Sequence, residues 1–265
     1  TANTLTTSKI VLKTPIRING DSSVGVELAQ VMDDGYDTSA NPSYIANTYD
    51  KQPAEIRVTI GDGANQYAGN ISRMNPSTSL PYDSNFVEGA VGLFVNHASL
   101  DYRLKEYELK FGDYAKNSVL AYINNGKLTL DNIKYPTINI ENGADNVGLV
   151  VTGTSSELNL YPDIKVGTAS SAVDGTVALI AKAGSKVNLL GANTIETNGE
   201  KSHGLVILDT GTTLSTGTVT GGSYNFKTAG ESSATLYVKD GTLNLGSASN
   251  INISAVGNKS IGVYN

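Results

Sequence analysis

The chain has 265 residues, 39% of them hydrophobic, enough to bury a sizeable core. Its formal net charge of −6 and lack of any basic run exclude a nucleic-acid groove, and the absence of cysteine excludes disulfides and thiolate metal sites. No apolar run approaches the length of a transmembrane helix, and 28 glycines among abundant Asn, Thr and Ser suit short strands and tight turns rather than long helices.

In chain order, Ile10-Val11-Leu12 and Ile16-Arg17-Ile18 read as the end of one coil, and Gly25-Val26-Glu27-Leu28 opens another. Residues 29–54 form an excursion rich in Asp, Asn, Pro and Tyr. Ile56-Arg57-Val58-Thr59-Ile60 returns to a strand pattern, and residues 61–88 make a second excursion. From Gly89 to residue 265 the pattern is regular.

A small residue followed by apolar, bulky and apolar residues recurs there. Its copies begin at Gly92, Leu120, Gly148, Ala178, Gly204, Thr235 and Gly262, with Leu120 the bulkiest occupant of the small position. The period is about 28 residues. A second column follows each copy after a turn: Lys127-Leu128-Thr129-Leu130, Glu157-Leu158-Asn159-Leu160, Lys186-Val187-Asn188-Leu189, Thr213-Leu214-Ser215-Thr216 and Thr242-Leu243-Asn244-Leu245. Its period-two alternation marks strands with one buried face, so Leu128, Leu158, Val187, Leu214 and Leu243 should form one internal ladder. A looser third column holds Leu109-Lys110-Phe111, Ile138-Asn139-Ile140, Ile164-Lys165-Val166, Tyr224-Asn225-Phe226 and Ile251-Asn252-Ile253. Turn dipeptides such as Asn125-Gly126 and Asp240-Gly241 fall once per coil at a fixed place, as solenoid corners require and antiparallel propeller blades do not. The expected fold is an all-β, right-handed parallel β-helix with three short strands per coil. It spans residues 1–265 as one segment, with the two excursions as a possible loop subdomain. Both chain ends fall inside a coil pattern, which reads as a piece of a longer solenoid.

The phrases Lys259-Ser260-Ile261-Gly262-Val263-Tyr264 and Asn146-Val147-Gly148-Leu149-Val150-Val151, with Gly241-Thr242-Leu243-Asn244-Leu245, resemble the passenger repeats of large type V autotransporters. The likeness is to the giant RadD-like adhesins of Fusobacterium and its relatives, and it covers about residues 89–265. It implies a β-helical stalk at the surface of a Gram-negative bacterium, anchored through an outer-membrane barrel outside this segment. It implies adhesion to a host-cell or bacterial surface protein or glycan, and names no ligand. The excursions match no pattern of that family.

Parallel β-helices also carry polysaccharide lyases, glycoside hydrolases and phage tailspikes, which need carboxylates converging on one face. The outward residues of the second column are Asp101, Thr129, Asn159, Asn188, Ser215 and Asn244. Those of the third are Lys110, Asn139, Lys165, Asn225 and Asn252. Neither set makes an acidic cluster, so no enzyme, metal or cofactor is expected, and a polysaccharide-binding or polysaccharide-degrading protein is the alternative. His97 and His203 read as solvated corner residues, and Asp33, Asp34 and Asp37 as loop acids without the spacing of a calcium site.

Two sets of residues are candidates for partner binding. Tyr36, Tyr44, Tyr49, Tyr67, Tyr82 and Phe86 concentrate in the excursions, where loops on a rigid scaffold place recognition, or form a small loop core. The second set lies on the first column, whose outward position holds Phe94, Tyr122, Val150, Ile180, Val206, Tyr237 and Tyr264. That stripe reads as strand propensity, as a face covered by the excursions, or as a partner surface with Phe94, Tyr122, Tyr237 and Tyr264 as its anchors.

Overall fold

The computed structural model describes residues 15–29, 55–64, 85–97, 101–104, 106–217, 222–246 and 250–265. Among these, all regular structure is β, and parallel strands stack as a solenoid of about six turns spaced roughly 29 residues apart.

Three faces run along the stack. The first is one eight-stranded sheet of β2 (Val24–Ala29), β5 (Val91–Asn96), β9 (Val119–Asn124), β12 (Val147–Thr152), β15 (Val177–Lys182), β18 (His203–Leu208), β21 (Ala234–Lys239) and β24 (Ile261–Tyr264). The second holds β6 (Asp101–Leu104), β10 (Lys127–Leu130), β13 (Glu157–Leu160), β16 (Lys186–Leu189), β19 (Thr213–Thr216) and β22 (Thr242–Asn244). The third is split. One part holds β1 (Ile16–Ile18), β3 (Glu55–Ile60) and β7 (Glu106–Phe111); the other holds β11 (Thr137–Ile140), β14 (Asp163–Val166), β17 (Thr194–Thr197), β20 (Ser223–Thr228) and β23 (Asn250–Ala255). A short corner pair joins β4 (Val87–Glu88) to β8 (Ala115–Lys116).

The coils stack because alternate residues of every strand point inward. Leu128, Leu158, Val187, Leu214 and Leu243 stand in register as expected, and the first four are almost wholly buried. Each such side chain contributes about 1.5–3 kcal/mol by leaving water. The first face has its own packing rule. A Cβ on Gly92 would lie 2.7 Å from the Leu120 carbonyl oxygen, one on Gly148 2.5 Å from that of Ala178, and one on Gly204 2.4 Å from that of Thr235. Glycine therefore alternates with a bulkier residue up the column, which is why Leu120 is tolerated in a slot otherwise reserved for small residues.

The corners flanking the first face are equally regular. Ser22, Gly89, Asn117, Asp145, Gly175, Lys201, Ser232 and Lys259 precede it with positive φ, and His97, Asn125, Gly153, Ala183, Asp209 and Asp240 follow it in the same way. The left-handed conformation turns the chain sharply and holds each coil to one length. Behind the leading corner lies a buried polar ladder. The backbone N–H groups of Ala90, Ser118, Asn146, Thr176 and Ser202 donate to the side-chain oxygens of Ser118, Asn146, Thr176, Ser202 and Ser233, at 2.9–3.3 Å. Ser202 is thus a stacking element.

Four readings of the sequence need correction. Thr129 stands beside Arg103, not Asp101, which aligns with Lys127. In the third column Ile164 aligns with Ile195, Phe226 and Ile253, two residues on from the expected Tyr224 and Ile251. Strand β17 was absent from the expected column because polar Thr194, Glu196 and Thr197 dilute its pattern. The outward line there is Asn139, Lys165, Glu196, Lys227 and Ser254, so it carries an acid. Finally, His203 is the first residue of β18, not a solvated corner.

Candidate functional site

The outer line of the first face is in register throughout: Glu27, Phe94, Tyr122, Val150, Ile180, Val206, Tyr237, Tyr264. It is two aromatic pairs with an aliphatic middle. Phe94 and Tyr122 meet edge to face, centroids 5.6 Å apart and planes at 80°, while Tyr237 and Tyr264 stack at 4.9 Å and 4°. Val150 is buried between its neighbours, and Phe94, Tyr122, Ile180, Val206 and Tyr237 are half-buried. Beside the first pair, Asn124 Nδ2 donates to Asn96 Oδ1 and Asn96 Nδ2 to Glu27 Oε1, both at 3.1 Å. The second face carries a polar line at the same level: Asn188 Nδ2 donates to Asn159 Oδ1 at 2.9 Å, and Asn159 Nδ2 to Thr129 Oγ1 at 3.3 Å.

Of the excursion candidates, Tyr36, Tyr44, Tyr49, Tyr67 and Tyr82 lie outside the described residues, as do Asp33, Asp34 and Asp37. Phe86 is exposed, with the Lys116 ammonium 5.5 Å from its ring centre. The two undescribed stretches leave the solenoid at different places. Residues 30–54 lie in sequence between β2 of the first face and β3 of the third, and residues 65–84 between the third face and the corner strand β4.

The titratable groups on the faces are held structurally. The His203 ring accepts a hydrogen bond at Nδ1 from the Ala234 N–H at 2.9 Å, and burial pulls its pKa below the usual imidazole value. His97 sits in a corner with its Nδ1 2.7 Å from Asn96 Oδ1. Burial alone would raise the Glu196 carboxyl. The hydrogen bond and charge of Lys227, 3.0 Å away, outweigh it and hold the pKa below the usual range. Among the described residues, no three His, Asp or Glu side chains gather as metal ligands would.

An irregularity with a cavity lies where the third face splits. A cleft of about 180 Å³ opens there, lined by Tyr107, Glu108, Leu109 and Lys110 of β7 and by Tyr135, Thr137, Ile138 and Asn139 at β11. The connections entering the two strands differ in length here. Lys105 alone joins β6 to β7, whereas residues 131–136 join β10 to β11 and push Ile133 out to 72% exposure. Pro136, ending that segment, keeps Tyr135 extended. Tyr135 packs against Tyr107 with centroids 5.9 Å apart, and Lys134 covers its ring at 5.7 Å. Tyr107 is 2% exposed, and its hydroxyl meets no hydrogen-bond partner among the described residues. Burial, and then the charge of the buried Asp131, push its pKa far above the ordinary phenol value. The sequence carried one hint of this site, the apolar Ile133 and the Tyr135-Pro136 pair between two regular strands.

No family model, no curated protein and no solved structure matches this chain, so its own faces and cleft carry the functional argument.

Proposed function

We propose that the chain is an adhesive stalk segment: a stiff β-solenoid that carries contact surfaces to a host-cell or bacterial surface protein or glycan. In this reading it belongs to a passenger of the type V autotransporter kind, displayed on the outside of a Gram-negative bacterium by an outer-membrane barrel beyond this segment. The observation that carries the reading is the inequality of the faces. Phe94, Tyr122, Ile180, Val206 and Tyr237 project outward in one half-buried apolar line, while the matching line on the second face is Thr129, Asn159, Asn188 and Ser215. Apolar and aromatic surface held in line on a rigid scaffold favours binding over turnover. The repeat phrases ending in Gly262-Val263-Tyr264 support the same family of molecules.

The test is binding of the purified chain to bacterial and host cells and to a glycan array, with a reducing-end assay run in parallel. Saturable binding without turnover is expected. Release of reducing ends from any polysaccharide would overturn the reading in favour of an enzyme. Replacing residues 30–54 and 65–84 by short Gly-Ser linkers, and separately Phe94→Ser with Tyr122→Ser, divides the binding between the excursions and the stripe.

A further inference from the structure

We propose that the cleft between β7 and β11 binds a single neutral sugar ring. This rests on the adhesive reading only for the source of the sugar, a surface glycan; the site itself follows from the geometry.

Three observations converge. First, the space is of the right size. About 180 Å³ is room for about six waters at their liquid volume, close to the bulk of one pyranose. An inserted strand would need neighbours about 4.8 Å away on both sides, and residues of β7 and β11 already approach within 8 Å at Cα. Second, the walls match a ring that is apolar on its faces and polar at its rim. Tyr135 offers a half-buried aromatic surface, and Thr137 and Asn139 offer neutral polar groups. Glu108 and Lys110 pair with each other, so the lining asks for no charged ligand. Third, unused hydrogen-bonding capacity faces the gap. By strand alternation, the backbone groups of Tyr107, Leu109 and Phe111 on β7 and of Thr137 and Asn139 on β11 point across it, where no ladder joins the strands. The Tyr107 hydroxyl lies buried behind them without a partner among the described residues. Tyr224, in the other part of the same face, has its one hydroxyl proton within reach of the carbonyls of Leu189 and Gly217, at 2.9 and 3.0 Å. A small rotation of Tyr107 toward a ring hydroxyl would give it the partner that its counterpart already has.

The experiment is saturation-transfer NMR on the full chain with glucose, galactose, mannose, N-acetylglucosamine and N-acetylgalactosamine, followed by crystals soaked with any binder. At least one should bind saturably, with density in the cleft. Tyr135→Ala should weaken it about tenfold, the loss of one aromatic contact and its polar neighbours. Asn139→Leu, outside the core, should weaken it as well if Tyr135→Ala perturbs the loop. Phe94→Ser should change nothing. No saturable binding by any of the five, or density for ordered water alone, overturns the proposal, and so does binding that survives both cleft substitutions. If cell adhesion persists while every monosaccharide fails, the cleft proposal falls and the adhesive reading stands.

Discussion

The first and third faces are built from the same coils, yet one runs unbroken from β2 to β24 and the other divides between β7 and β11. The difference lies in the corners. The first face is bracketed by left-handed corner residues and backed by the buried ladder Ser118, Asn146, Thr176, Ser202 and Ser233, so each coil enters it at the same height. The third face is entered through connections that range from Lys105 alone to the six residues 131–136. A solenoid's stability is close to a sum of nearest-neighbour terms, so a single interface can open and leave the other faces intact. The cleft lies where the third face divides.

Substitutions can sharpen or break this contrast, and the largest effect belongs to the core. Ile164, paired on both sides by Ile138 and Ile195, should lose about 2–5 kcal/mol on substitution by Ala. Ile138→Ala, with a paired strand on one side and the cleft on the other, should lose clearly less. Urea midpoints read both; equal losses would mean the third face is as tightly joined at β7 as elsewhere.

Next comes the polar ladder. Asn146 accepts from the Ser118 N–H and donates to the Ala115 carbonyl, all of it buried. Asn146→Ala leaves the buried Ser118 N–H unpaired, while the Ala115 carbonyl keeps the Ala144 N–H, and should cost about 1–3 kcal/mol. A change within 0.5 kcal/mol, an exposed-site value, would remove the ladder from the account.

The two buried tyrosines should then differ in sign. Tyr224→Phe gives up a hydroxyl proton shared between two carbonyls and should destabilise by about 1 kcal/mol, whereas Tyr107→Phe removes a hydroxyl without a partner among the described residues and should be neutral or stabilising. Equal losses at both would show that Tyr107 already holds a partner.

The smallest effect is the pH response of His203. Its folded pKa lies below the unfolded value of about 6.5, and Nδ1 must stay unprotonated to accept the Ala234 N–H. Its stabilisation is therefore present above about pH 6.5 and fades as pH falls through the lowered folded value. His203→Gln should flatten stability across that window while leaving the lower titration of Glu196 in place. An unchanged slope would mean that the ring does not hold the coil.

Much of this architecture was readable in the residues. Leu128, Leu158, Val187 and Leu214 announce a buried ladder through simple alternation, and the structure stacks them in register. The stripe of Phe94, Tyr122, Tyr237 and Tyr264 was readable for the same reason. The third column was harder, because Thr194-Ile195-Glu196-Thr197 has one apolar residue and Tyr224-Asn225-Phe226 invites alignment two residues out of step. Such a slip keeps the inward face correct and misplaces only the outward neighbours, whereas Glu196 escaped notice because its strand, β17, went unrecognised. The cleft was not legible at all. It lies where two connections one coil apart differ in length, and a sequence shows those lengths only once the strands on either side are known.

The division of the third face is the claim on which the cleft rests, and amide hydrogen exchange tests it most directly. The account predicts that the amides of Leu109 and Phe111 on β7, and of Thr137 and Asn139 on β11, exchange much faster than those of Ile195 and Phe226 in the continuous part of the same face. Equal protection across the two groups would show a closed ladder between β7 and β11 and would contradict it.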